Sequence, residues 1–174
     1  MADVQRTIGE PGCSTSHRRR NALAIALVAA VWLAVDLATK RYFDGGSFEL
    51  GDHIAGPFLG LFRFTLVHNT GGAWGVFGDS TFALGIVSIV VSAALVAFVM
   101  ADRSANLVQA IGVGLIAAGG VGNAIDRFDL GYVVDFIDFT FIDFPVFNVA
   151  DIGVTCGLVI LVVATLATWG RERS

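Results

Sequence analysis

The chain has 174 residues, 55% of them hydrophobic and 15% charged, with a formal net charge of -4, a pI near 5.2 and a mean hydropathy of +0.74. Such a composition excludes intrinsic disorder, which needs low hydrophobicity and high net charge, and disfavours an ordinary soluble domain. It also excludes a nucleic-acid partner, because 11 Lys and Arg set against 15 Asp and Glu leave no basic face to neutralise phosphates.

Residues 1–20 hold Gly9, Pro11, Gly12, Ser14 and Ser16 among polar and basic types and read as a disordered tail. Asn21–Val35 is a charge-free run of 15 residues. That is short of the about 20 a membrane helix needs, so the first span has to run on through Asp36 to Lys40. A cleaved signal peptide fits poorly: Arg18, Arg19 and Arg20 supply its basic start, but no small-x-small cleavage site follows. Residues 41–79 form a long connection. Within it, Phe58–Val67 (FLGLFRFTLV) has strand composition, with Phe62, Phe64 and Leu66 on one face and Arg63 and Thr65 on the other. A small sheet lying on the membrane surface is expected there.

Three further charge-free runs follow: Ser80–Ala101 and Ser104–Ile125 with 22 residues each, and Ile152–Gly170 with 19. They place the remaining helices at about 80–101, 104–126 and 149–170. The connection between the last two, 127–148, carries Phe128, Phe136, Phe139, Phe141, Phe144 and Phe147 among acids. A solvated loop does not hold so many Phe, so an interfacial loop or short helix packed over the mouth of the bundle is expected. The fold class is thus an all-α membrane protein of four transmembrane helices with a small extracytoplasmic sheet, residues 21–170 forming one domain.

Lys and Arg mark the cytoplasmic side. With both termini cytoplasmic, seven of the 11 basic residues (Arg6, Arg18, Arg19, Arg20, Arg103, Arg171, Arg173) lie inside, while 11 of the 15 acids fall in the outer half. Cys13 in the tail and Cys156 in the last span cannot meet in a disulfide, and Cys156 is expected as a small buried residue.

Ionisable groups at membrane depth are costly and point to function. Here they gather at the outer ends of the spans. Asp36 and Lys40 are four apart on one helix face, suited to pairing. Asn123 and Arg127 repeat that spacing beside Asp126, for which an ion pair with Arg127 is expected. Asn148 and Asp151 open the last helix, where Asp151 also suits a capping acid. Asp135 lies between these groups. Asp129, Asp138 and Asp143 have no partner pattern and are expected to be solvated or interfacial, and His53 and His68 to be ordinary loop histidines. No Ser/His/Asp elbow, outer thiol or glycine-rich phosphate loop is present. A pair of carboxylates sharing one proton can hydrolyse an amide, one activating water while the other hydrogen-bonds the carbonyl.

Five blocks occur in order: Asp36-Leu-Ala-Thr-Lys40, HNTGGAWG (68–75), GGVGNAIDR (119–127), GYVVDF (131–136) and FNVAD (147–151). Together they resemble the lipoprotein signal peptidases, or signal peptidase II. The resemblance implies an aspartic protease of the bacterial cytoplasmic membrane, with its site at the extracytoplasmic face. Its substrates would be diacylglyceryl-modified prolipoproteins, cut just before the lipidated cysteine. It further implies a catalytic pair at Asp135 and Asp151. Asn123, Arg127 and Asn148 would position the pair or the substrate; Asp36, Lys40 and Asn69 would support them, and Asp126 ranks third as a catalytic carboxylate. No metal or other cofactor is implied, and a monomer among membrane phospholipids is expected. Leu37 stands where the family commonly has Gln, and Gly71-Gly72-Ala73 where it commonly has Gly-Ala-Ala.

Two other classes remain open on the residues alone. A small proton-coupled transporter subunit would also use buried Asp, Asn and Arg, although here they cluster at one face rather than crossing the bilayer. A divalent-metal transferase could use Asp129, Asp135, Asp138 and Asp143 as oxygen ligands.

Overall fold

The computed structural model describes residues 11–71 and 80–172. In chain order they form α1 (Pro11–Phe43), β1 (His53–Phe58), β2 (Phe62–Asn69), α2 (Thr81–Ala101), α3 (Leu107–Asp129), β3 (Val133–Phe139) and α4 (Val149–Glu172). Among the described residues, four helical stretches are long and apolar enough to cross a membrane: Ser16–Phe43, Thr81–Ala101, Leu107–Asp129 and Val149–Gly170.

The first helix extends further than expected at both ends. It continues past Asp36 and Lys40 to Phe43, and it begins at Pro11, so half of the tail expected to be disordered is helical. Proline suits a first helical turn because its missing N–H would have had no partner there, and arginine is a good helix former. The expected disorder of residues 1–10 lies outside the described residues. The third helix starts later than the charge pattern placed it. Asn106 caps it, accepting from the backbone of Val108 and Gln109, while the Gln109 side chain returns a bond to the Asn106 N–H.

α3 is the centre of the bundle, packing against α1, α2 and α4. Two thirds of its apolar stretch (67%) is buried, against 22% or less in the other three, whose remaining surfaces are free to face lipid. Close helix approach needs small residues. Gly112 of α3 faces Gly157 of α4 so tightly that a Cβ on Gly157 would lie 2.5 Å from the Gly112 carbonyl oxygen. About two turns before the end of α3, Gly122 leaves room for the Asp36 carboxylate, which a Cβ there would strike.

The sheet has the order β1-β2-β3, antiparallel throughout. The stretch expected as one strand from Phe58 to Val67 is instead a hairpin. Its turn passes through Leu59 (φ 52°) and Gly60 (φ 70°), and the Leu61 N–H returns to the Phe58 carbonyl. Positive φ at both central residues of the Phe58–Leu61 turn matches the twist of the flanking strands. β3 comes from the second connection, where a loop or short helix was expected. Residues 140–147 stay irregular, with Phe147 bridging back to Ile137. A register shift between Phe64 and Val67 buries both Thr65 and Leu66. The side chains still divide as the alternation predicts: Arg63 and Thr65 both reach Asp138, while Phe64 and Leu66 join Phe43, Val134 and Phe136. Phe43 stacks on Phe136 with centroids 4.1 Å apart, which seats the sheet on the end of α1.

Candidate active site

The nine polar residues singled out in the sequence converge where the sheet meets the ends of α1, α3 and α4. α4 begins with a reciprocal cap: Asn148 Oδ1 accepts the Asp151 N–H at 3.0 Å, and Asp151 Oδ2 accepts the Asn148 N–H at 3.2 Å. The next orphan N–H of that first turn, on Ala150, is satisfied from another helix by Asp36 Oδ1 at 2.8 Å. The expected pairing of Asp36 with Lys40 is present, at 2.9 Å.

Lys40 is 3% exposed, and its three donors have three neighbours. Its Nζ lies 2.9 Å from Asp36 Oδ2 and 3.0 Å from Asp126 Oδ2, and donates to Asn123 Oδ1 at 2.9 Å. The Asp36 contact is ionic without hydrogen-bond alignment. The ion pair of Asp126 is therefore with Lys40 rather than, as expected, with Arg127. Adjacent helix residues point in directions about 100° apart, so Asp126 turns to α1 while Arg127 turns to the cavity. Asp126 Oδ2 also accepts the Val134 N–H, tying α3 to β3.

Asp135 projects from β3 with 2% exposure. Its Oδ2 accepts from Asn69 Nδ2 at 2.9 Å and its Oδ1 from Asn148 Nδ2 at 2.7 Å. Asp151 Oδ1 accepts from Asn123 Nδ2 at 2.8 Å. Asn148 thus touches both carboxylates, through its side-chain amide on one and its backbone on the other. Burial and the neighbouring Asp151 charge push the Asp135 carboxyl up to about 7. Arg127 donates from Nη1 to the Asn123 carbonyl, leaves its buried Nε without a protein partner among the described residues, and lies within electrostatic reach of Asp151, Asp135 and Asp126.

Asn69, Asn123, Arg127, Asp135 and Asp151 open onto one cavity of about 480 Å³ whose remaining wall is apolar, from β3, the 144–147 loop and α4. Phe139, Phe144 and Phe147 of the Phe-rich connection line it, whereas Phe136 stacks on Phe43, Phe128 packs on Phe82 and Phe141 is exposed. Asp36, Lys40, Asp126 and Asn148 stand behind that wall. Thr155 and Cys156 also line the cavity. The i+4 spacing of Thr155 from Asp151 could have found it; Cys156 is exposed, not buried as expected.

Other expectations are corrected. Asp138 is buried and bonded to Arg63 at 2.6 Å and Thr65 at 3.1 Å, on the face of the sheet opposite Val67 and Asp135. His68 bonds Asp44 at 2.6 Å and stacks on Tyr132, whose hydroxyl donates to the same carboxylate. Neither followed from spacing, since the partners are 24 to 88 residues apart. Of the HNTGGAWG block, Gly72–Gly75 lie outside the described residues. Among the described residues, no three His, Cys, Asp or Glu side chains group as a ligand set.

The family model described as signal peptidase (SPase) II matches residues 28–167. The chain is 43% identical over 141 residues to the lipoprotein signal peptidase of Microcystis aeruginosa, covering 80% of this chain and 89% of that one. To the lipoprotein signal peptidase of Staphylococcus aureus it is 32% identical over 155 residues, covering 87% and 93%. A solved bacterial membrane enzyme, determined by the in meso method at 2.3 Å, superposes with a TM-score of 0.77 at 33% identity, over 85% of this chain and 90% of that one.

Proposed function

The chain belongs to the signal peptidase II family of lipoprotein signal peptidases, and from that membership we propose that Asp135 and Asp151 form the catalytic dyad with which it works. It is an aspartic-type peptidase, a multi-pass bacterial membrane protein that removes signal peptides from prolipoproteins. The observation that carries the dyad is the bridging by Asn148 of two carboxylates that share one cavity.

Chemically, one carboxylate takes a proton from water as the water oxygen attacks the scissile carbonyl. The other, protonated, donates to the carbonyl oxygen. Collapse of the tetrahedral intermediate passes a proton to the leaving nitrogen. The products are a free carboxylate on the signal peptide and a free amine on the cysteine. Asn69, Asn123 and Asn148 hold the carboxylates, and Arg127, with a donor to spare beside the cavity, holds the substrate backbone. Asp36, Lys40 and Asp126 support this group from behind.

The distribution of Lys and Arg supports cytoplasmic termini and an extracytoplasmic site, with the sheet at the outer surface of the cytoplasmic membrane and residues 21–170 as a single monomeric domain among phospholipids. The apolar side of the cavity suits a diacylglyceryl-modified substrate cut just before its lipidated cysteine. Purified protein in lipid, given a diacylglyceryl-modified prolipoprotein and the same chain without the lipid, tests this by the mass of the fragments. Cleavage only of the lipidated form, with the cysteine as the new N-terminus, is the expected result; cleavage elsewhere or failure with both contradicts it.

A further inference from the structure

We propose that Lys40 is a positioning residue that makes the dyad asymmetric: by fixing the amide of Asn123, it keeps Asp151 as the ionised base and leaves the shared proton on Asp135. The inference rests on the dyad reading above and concerns how the two carboxylates divide its work.

An asparagine amide offers donors on one side and an acceptor on the other, and its orientation is set by its neighbours. An ammonium group has donors only. With Lys40 Nζ at 2.9 Å, the amide of Asn123 must turn its oxygen to the lysine, and Asn148 Nδ2 donates to the same oxygen at 3.0 Å. The NH₂ of Asn123 is then left to face Asp151, to which it donates at 2.8 Å. Asp126 and Asp36 hold the lysine from the other side, so neither Lys40 nor the amide can turn away without leaving a buried charge unpaired.

The consequences for the two carboxylates differ. Asp151 receives one donor on each oxygen, from Asn123 Nδ2 and the Asn148 backbone, and lies in the first turn of α4, where the helix dipole favours an anion. Asp135 sits on a strand rather than in a helix turn, and one of its two donors, Asn148 Nδ2, is divided among Asp135, Asn123 and the Val134 carbonyl. The charged groups around Asp151 are Asp36 and Lys40 from α1, Asp126 and Arg127 from α3, and Asp135 from β3. Four carboxylates against two cations favour retention of one proton; burial pushes Asp135 up to about 7, and its weaker, divided set of donors makes it the group placed to keep that proton.

The test reads proton location directly, from the side-chain carboxyl ¹³C shifts of Asp-labelled protein in detergent just below that pH. Lys40→Met combined with Asp126→Asn removes the lysine without changing the net charge of the cluster; Asp126→Asn alone, which keeps Lys40 on Asn123, is its reference. In wild type, Asp135 is expected protonated and Asp151 ionised. In the double variant the preference for Asp135 should fall by about tenfold, equivalent to one pH unit, with kcat reduced and KM little changed. Protonated Asp151 in wild type overturns the proposal, and that measurement needs no variant to fold. An unchanged proton distribution in the double variant also overturns it, giving Lys40 a structural role only. Failure of the dyad reading has another signature, full activity of Asp151→Asn, so the two can be told apart.

Discussion

The carboxylate of Asp36, on α1, accepts the backbone N–H of Ala150 in the first turn of α4 across 114 residues of sequence. One side chain therefore caps a helix that it does not belong to and anchors the lysine behind the proposed dyad. Asp36→Ala removes both and leaves Lys40 with one anion fewer. The expected loss is about 3–5 kcal/mol, the range for breaking a buried pair. Asp36→Asn, which still offers an oxygen to Ala150, should lose less. Thermal unfolding in detergent orders wild type, Asn and Ala; equal stability of Ala and wild type would contradict the capping role.

Activity should fall as pH rises through about 7. Asp135 carries a carboxyl pushed up to about 7, and above that value both members of the pair are ionised, so no proton remains for the scissile carbonyl. The decisive readout is the alkaline limb of kcat/KM; an activity flat to high pH would refute the assignment.

The same shift has a consequence for stability. A carboxyl whose folded value exceeds its ordinary 3.8 holds its proton more tightly when folded, so stability is lost as pH rises from about 4 to about 7. Asp135→Asn should therefore unfold at a higher temperature than wild type above pH 7, with the gain vanishing near pH 4. A gain independent of pH would point to a cause other than ionisation.

Asp138, three residues beyond Asp135, should behave differently. Its partner Arg63 is 38% exposed, which limits the pair to about 1 kcal/mol. Asp138→Asn is expected to cleave substrate at a rate close to wild type. Loss of cleavage with the fold intact would make Asp138 a candidate reacting carboxylate.

Legibility in the sequence followed the range of the interactions. Charge-free runs located the last three helices to within a few residues and the first except for its ten N-terminal residues, because the thickness of a bilayer is a one-dimensional constraint that hydropathy reports directly. Pairings at i+3 and i+4, Asp36 with Lys40 and Asn148 with Asp151, were readable for the same reason. Asp126 was read as partner to its neighbour Arg127, yet it bonds Lys40, 86 residues away, because only the packing of α1 on α3 brings them together. β3 escaped notice because Val133–Phe139 is buried on both faces and shows no alternation, and the hairpin because Leu59 occupies a conformation that usually signals itself by Gly or Asn. Asp138 looked unpartnered only because its partner lies 75 residues earlier.

The most direct test of the account is cleavage of a diacylglyceryl-modified prolipoprotein by wild type, Asp135→Asn and Asp151→Asn, each matched for folding in lipid and assayed with and without EDTA. The account predicts chelator-resistant cleavage by wild type and a loss of about 10²–10⁴-fold in each variant. Cleavage near the wild-type rate by either variant would contradict the dyad.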